Sequence, residues 1–247
     1  MVVDQSRFIR QHFLYPLVVL AIVSAVILIF GLDVRIADYF YGLQGYSWAW
    51  KNAWLTDRIL HRGGRALSIF LAASVLISFF LSYIMQRLKN FRQQLLYLFL
   101  SVTGSTLLVV FLKMLLAVSC PWEFDRYGGR LVYANIVQQL HLRNGGGCFP
   151  AGHASAGYAW VALYFFGLFF QSRLRWLGLL GALTSGFIFG FAQQLRGAHF
   201  ISHDLWALAI CWFFSLGLYL IFSGSFSKPF YHPNAVLPLV KIKSGWF

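Results

Sequence analysis

The sequence has little charge for its length. Only 11% of its 247 residues are charged and 59% are hydrophobic, whereas a soluble domain has about 25% charged and about 45–50% apolar residues. This composition excludes an ordinary soluble protein. Several apolar stretches approach the roughly 20 residues that cross a bilayer. We therefore predict an all-α, polytopic membrane helix bundle that forms a single domain over residues 1–247.

Features typical of other protein classes are also missing. The first apolar run follows Arg7 and Arg10, but no small-residue cleavage site ends it, so we predict a retained anchor rather than a cleaved signal peptide. The sequence contains no internal repeat and no low-complexity segment. Its net charge is +13, but the basic residues lie in short loops, with no solvated domain to present them. We expect a membrane partner and no nucleic acid, and the sequence gives no signal for an oligomeric state.

Six apolar runs alternate with polar or basic segments. We predict six transmembrane helices, at residues 14–31, 66–85, 95–118, 154–170, 176–194 and 205–222. The short basic loops and the basic C-terminal tail share one side in this topology, which the positive-inside rule assigns to the cytoplasm. The long polar loop at 119–150 then faces the periplasm or the exterior of a bacterial-type inner membrane.

A first cluster of interest contains Lys113, near the predicted outer end of the third apolar run. An ionisable residue in such a run is costly and often functional. A lysine can also lie with its stem along lipid and its ammonium at the headgroups. Pro121 follows eight residues later, in Cys120-Pro121-Trp122.

A second cluster is Pro150-Ala151-Gly152-His153, which predicts a tight turn and the start of a helix. Free N–H groups at a helix start bind anions, and Gly152 lets a phosphate approach the backbone. His153 can protonate a leaving oxygen. The alternative is a capping turn with an interfacial histidine.

A third cluster combines Arg196, His199, His203 and Asp204 between two apolar runs. The first three share one face if the segment is helical, because they are spaced i, i+3 and i+7. A guanidinium matches phosphate oxygens, and an imidazole can attack phosphorus. His199 and His203 also have a spacing known for zinc, but there is no His-Glu-x-x-His motif. We therefore predict no metal and no cofactor.

Together the three clusters resemble the type 2 phosphatidic acid phosphatase (PAP2) family. Its pattern is a lysine, six residues and Arg-Pro; then Pro-Ser-Gly-His; then Ser-Arg, five residues, a histidine, three residues and an aspartate. Lys113, Gly152 and His153 match their positions, and the resemblance covers about residues 66–222. It implies a six-helix core that removes phosphate from a lipid phosphate or diphosphate, without a metal, through a phosphohistidine. His153 is then the general acid.

Two arginines of the family pattern are missing from the first and third motifs. Cys120 stands where the first motif has its arginine, and Arg126 or Arg130 downstream is our candidate for the missing charge. Gln193 stands where the third motif has its arginine, and Arg196 lies one helical turn later. Besides Arg126 and Arg130, we expect Lys113, Arg196 and Gly152 to bind the phosphate.

Two assignments of the nucleophile stay open. In the first, which we prefer because Gly-Ala-His is typical of the family, His199 attacks phosphorus, and Asp204 or His203 orients it. In the second, His203 attacks, seven residues after Arg196. A related His-Phe-x-His arrangement occurs in the glucose-6-phosphatase branch, where the earlier histidine is the nucleophile.

The remaining expectations concern the outer side. Cys120 and Cys148 both lie there, where an oxidising compartment permits a disulfide between them. The basic segment at residues 61–65 precedes the second apolar run and is either a second phosphate or headgroup site or an interfacial helix start. Besides a phosphatase, the sequence allows a lipid phosphotransferase of the same family, or a non-catalytic protein that binds lipid phosphates.

Overall fold

The computed structural model describes residues 5–143 and 145–224, and this part of the chain is an all-α bundle without a β-strand. The predicted fold class is therefore confirmed. The basic C-terminal tail that entered the topology prediction lies outside the described residues. The helices of the described part of the chain are α1 (Gln5–Ile29), α2 (Leu32–Leu43), α3 (Trp54–Leu81), α4 (Arg92–Leu116), α5 (Ile136–Leu142), α6 (Gly152–Tyr158), α7 (Ala162–Phe169), α8 (Arg175–Leu195) and α9 (Ile201–Phe222).

Five helical segments among the described residues are long and apolar enough to cross a membrane. They are Gln5–Ile29, Trp54–Leu81, Lys89–Glu123, Arg175–Leu195 and Ile201–Phe222. The fourth predicted span, at 154–170, corresponds to α6 and α7, which a 3₁₀ turn at Ala159–Val161 joins, and it does not belong to this set. The findings fit a multi-pass membrane protein, and they leave the count of six as a prediction.

The segment formed by α6 and α7 lies at the centre of the bundle. Residues 154–159 are all buried, and α6 packs against α8, α9 and α4. The contact with α8 is very close: a Cβ added to Gly157 would lie 2.6 Å from the Cα of Gly186. Small residues therefore let α6 approach α8 at backbone distance, and this holds His153 beside the C-terminal end of α8.

The three sequence clusters meet at one end of the bundle. Helix α4 ends just after Lys113, where Ala117 takes a left-handed conformation with φ of 45°. Helix α8 ends at Leu195, and Gly197, with φ of 71°, turns the chain into α9. A Cβ on Gly197 would lie 2.4 Å from the Trp48 ring, so the tight packing there also favours glycine. The segment between α4 and α6, which contains α5, forms a loop over this end and contributes Trp122 and Glu123 to it.

Candidate active site

A cavity of about 250 Å³ opens where the helix ends converge. Its lining combines three kinds of group: cations, imidazoles, and the polar or aromatic residues of the covering loop. The lining residues include His61, Lys113, Trp122, Glu123, His153, Gln193, Arg196 and His199. Four of the predicted catalytic and phosphate-binding residues, namely Lys113, His153, Arg196 and His199, thus lie around one space.

Lys113 contributes an ammonium group to this cavity from the last turn of α4. Within residues 5–143 and 145–224, no carboxylate lies within ion-pair distance of it. A charged lysine without a counter-ion next to a polar cavity is suited to an anionic ligand.

His153 enters the cavity from the first turn of α6. A Cβ on the preceding residue, Gly152, would meet no atom within 4 Å, so the space beside it is open to a ligand. Burial, reinforced by the nearby His61, Lys113 and Arg196, lowers the pKa of His153 to about 3. His153 is therefore neutral at neutral pH, and a bound anion would raise its pKa by offsetting these cations.

His199 lines the cavity, whereas His203 lies behind it. Their Nδ1 atoms are 3.4 Å apart, and His203 is completely buried between the rings of Phe149 and Phe200, with centroids 5.4 Å from each. Burial lowers the pKa of His199 well below its usual range. With Nδ1 facing His203, Nε2 is the remaining ring nitrogen of His199, and in the tautomer with the proton on Nδ1 it can attack a ligand in the cavity.

Asp204 bonds to α8 and to neither histidine. Its Oδ2 accepts a hydrogen bond from Gln194 Nε2 at 2.6 Å, and its Oδ1 has no hydrogen-bond partner among the described residues. A Cβ on Gly190 would lie 2.6 Å from Oδ2, so this carboxyl fits into a gap on α8. Asp204 lies one residue farther from His199 than the family spacing, and this extra residue rotates it about the helix. Of the two residues predicted to orient His199, namely Asp204 and His203, only His203 contacts it.

Arg196 is almost fully buried and is held on every nitrogen. Its Nε donates to the carbonyl of Lys51 at 2.6 Å, its Nη2 to Asp57 Oδ1 at 3.0 Å, and its Nη1 to Gln193 Oε1 at 3.3 Å. The Nη1 atom also contacts His61 Nδ1. Arg196 is therefore fixed at the cavity, beside Gln193, which occupies the position of the family arginine.

The structure does not bring Arg126 or Arg130 to this cavity. Arg126 forms two hydrogen bonds with Asp38 of α2, at 2.8 and 2.6 Å, and these lower the pKa of Asp38. The chain folds back so that Arg130 N donates to the Glu123 carbonyl, and Arg130 lines a separate cavity of about 330 Å³ beside Phe124. Neither residue therefore replaces the charge missing at Cys120.

A disulfide joins Cys120 and Cys148, whose Cα atoms are 5.2 Å apart. The Glu123 carboxylate braces the same loop, because Oε2 accepts from the backbone N–H groups of Cys120 at 2.8 Å and of Gly146 at 3.0 Å. Cys120 therefore has a structural role at the motif position where a guanidinium is expected. Cys211 is the free cysteine and is buried in the core.

We expect reduction of this disulfide to lower the stability of the folded protein by about 2–4 kcal/mol, because it frees a 28-residue connection. Thermal unfolding of the purified protein with and without a phosphine reductant measures the effect. The Cys120→Ser, Cys148→Ser double variant is the control: it should already unfold at the lower temperature, and the reductant should cause no further shift. An equal response of both proteins would contradict the assignment.

Several residues around the cavity lie outside the predicted site. His61 and Trp122 line it, Asp57 and Lys51 bond to Arg196, and Lys51 Nζ lies 4.0 Å from the centroid of the Trp122 ring. The only signal for them in the sequence is the basic segment at 61–65. Across residues 5–143 and 145–224, no group of three or more histidine, cysteine, aspartate and glutamate side chains is arranged to hold a metal ion.

The fold and the cavity describe a membrane helix bundle with a cavity at one end that is lined by cations and imidazoles. A family model described as the PAP2 superfamily matches residues 94–227, more than half of the chain. The chain therefore belongs to the PAP2 superfamily, which generally comprises phosphatases. No curated protein and no solved structure matches it. The matched region contains α5 to α9 and all but the first two residues of α4, but not α1 to α3, and the core at about 66–222 remains a prediction.

Proposed function

We propose that this protein is a membrane lipid phosphate or diphosphate phosphatase that acts at the outer face, without a metal, through a phosphohistidine. The observation that carries the proposal is the cavity in which Lys113, Arg196, His153 and His199 meet. Membership of the PAP2 superfamily supports the general class of reaction. The disulfide between Cys120 and Cys148 supports an outer location, since such bonds persist in oxidising compartments.

The first half of the reaction transfers the phosphoryl group to the enzyme. Nε2 of His199 attacks phosphorus, and the bond from phosphorus to the lipid oxygen breaks. His153, protonated when the anion binds, donates its proton to that oxygen, so that the lipid leaves as an alcohol or, from a diphosphate, as a monophosphate. Lys113 and Arg196 neutralise the non-bridging oxygens as charge develops on them.

The second half regenerates the enzyme. A water molecule attacks the phosphorus atom of the phosphohistidine, and His153, now neutral, accepts a proton from this water. The bond from phosphorus to Nε2 breaks, and inorganic phosphate leaves. The contact between Nδ1 of His199 and Nδ1 of His203 holds the ring of His199 in one orientation through both halves of the reaction. In the family pattern, an aspartate would orient the histidine in this way.

Phosphate release from purified protein tests this proposal. The protein, in detergent micelles with EDTA, receives either a phosphatidate or a polyprenyl diphosphate. We expect release of inorganic phosphate from at least one of them, at a rate that EDTA does not change. Activity that EDTA removes and zinc restores would contradict the mechanism. Release or transfer only after addition of an acceptor lipid would assign a phosphotransferase, and no turnover of either kind would favour a binding protein.

A further inference from the structure

The first turns of α3 contribute two polar side chains to the cavity end of the bundle. Residues Trp54–Gly63 are π-helical, and they present Asp57 and His61 towards Arg196. This segment precedes residues 94–227, which the superfamily model matches, and none of the three motifs includes it. Any role of this segment in the cavity is therefore additional to the roles of the motif residues.

Asp57 fixes the guanidinium of Arg196. Its Oδ1 accepts from Arg196 Nη2 at 3.0 Å, and its Oδ2 lies 3.1 Å from Arg62 Nη2. The side chain of Arg196 is 8% exposed and that of Asp57 15% exposed, whereas that of Arg62 is 74% exposed. The Asp57–Arg196 pair is thus an interior contact, and the pair with Arg62 is a surface contact.

The contact between His61 and Arg196 determines which nitrogen of the imidazole carries the proton. A guanidinium only donates hydrogen bonds, so at its contact with Arg196 Nη1 the His61 Nδ1 atom is the acceptor. Asp57 Oδ1 lies farther from Nδ1, at 3.5 Å, and accepts from Arg196 Nη2 at 3.0 Å instead. The neutral ring then carries its proton on Nε2. Because His61 lines the cavity, with its ring centroid 3.8 Å from that of His153, this N–H group is a donor available to a bound ligand.

The two arginines missing from the motifs explain why an additional donor such as His61 would help to bind a phosphate. Cys120 and Gln193 occupy the positions of two family arginines, and neither supplies a guanidinium. The cavity keeps Arg196 as its guanidinium, fixed by Asp57, and the imidazole of His61 adds a neutral donor next to it. A tetrahedral oxyanion, with several acceptor oxygens, matches this combination of a cation and adjacent N–H groups.

We propose that His61 is a further phosphate-binding residue, which donates Nε2–H to a non-bridging oxygen, and that Asp57 is the positioning residue for Arg196. The proposal rests on the function proposed above and deepens it. It assigns the recognition of the phosphoryl group partly to α3, in addition to the three motifs.

Calorimetric binding of inorganic phosphate to the full-length protein in detergent tests the role of His61 with two matched variants. His61→Asn keeps an acceptor near Nδ1 for Arg196 but lacks a donor at the distance of Nε2, whereas His61→Gln provides an N–H group at that distance. We expect the dissociation constant to rise about tenfold for the Asn variant and less than about threefold for the Gln variant. Arg62→Gln is the surface control and should bind phosphate like the unaltered protein.

Either of two results would overturn the role of His61: wild-type affinity in the Asn variant, or an equal loss in both variants when their unfolding temperatures match that of the unaltered protein. Phosphate binding is measured without turnover. A protein that binds phosphate in this pattern but releases none from lipids would contradict the phosphatase and leave the assignment of His61 intact. Turnover of lipid phosphate together with unaffected phosphate binding in both variants would support the phosphatase and contradict the role of His61.

The role of Asp57 is tested in a double-mutant cycle with Arg196→Gln. We expect Asp57→Ala to weaken phosphate binding about tenfold in the unaltered protein and to have no further effect on binding in the Arg196→Gln background. Asp57→Asn, which keeps an oxygen for Nη2, should restore most of the affinity. An equal loss of phosphate affinity in both backgrounds would show that Asp57 acts only on the general stability of the fold.

Discussion

His199→Ala is expected to lower the rate of phosphate release from a lipid phosphate by about 10⁴-fold or more, because it removes the atom that attacks phosphorus. Lys113, Arg196 and His153 remain in the cavity of this variant. We therefore expect the dissociation constant for inorganic phosphate to change little while kcat falls. Initial rates over a range of substrate concentrations, with EDTA present, separate these two quantities.

Two other histidines provide the comparison for this result. His203→Ala removes the side chain that orients His199, and we expect a smaller loss of kcat, about 10²-fold. His141→Ala is the matched control, since His141 is exposed on α5 and, within the described part of the chain, bonds only to the Val137 carbonyl, and it should be fully active. Loss of all activity in His203→Ala with substantial activity left in His199→Ala would reverse the roles that we assign.

His153→Gln is expected to reduce kcat by about 10²–10⁴-fold for a lipid phosphate, because an alkoxide leaves poorly without a proton. The effect should depend on the leaving group. With p-nitrophenyl phosphate, whose leaving phenolate is stable without protonation, we expect a much smaller loss. The ratio of the two losses is the measurement, and a mutation that only disturbed the fold would reduce both rates equally.

The helical architecture follows from the hydrophobic pattern, except at the centre of the bundle. Five of the predicted spans coincide with long apolar helices because a helix that faces lipid must be apolar along its length. Helix α6 is packed between other helices, and small residues such as Gly157 let it approach them more closely than large apolar ones would. Hydropathy alone does not distinguish such an interior helix from a span that faces lipid.

The convergence of the motif residues could be predicted from their positions at the ends of apolar runs, but their partners could not. Arg126 is drawn to Asp38, which is 88 residues away in sequence, and no local pattern indicates this pair. Asp204 bonds to Gln194 because a single extra residue rotates it on α9. His61 belongs to a basic segment that is visible in the sequence, and its contact with Arg196 depends on how α3 packs against α8.

The position of the phosphoryl group on the enzyme tests the central claim most directly. Unaltered protein is mixed with a radiolabelled lipid phosphate, quenched in alkali, which preserves phosphohistidine, and digested for peptide mass spectrometry. We predict phosphoryl transfer to the imidazole of His199, and no labelled peptide from His199→Ala. A phosphoryl group on His203, or release of phosphate by an enzyme in which no histidine becomes labelled, would contradict this account.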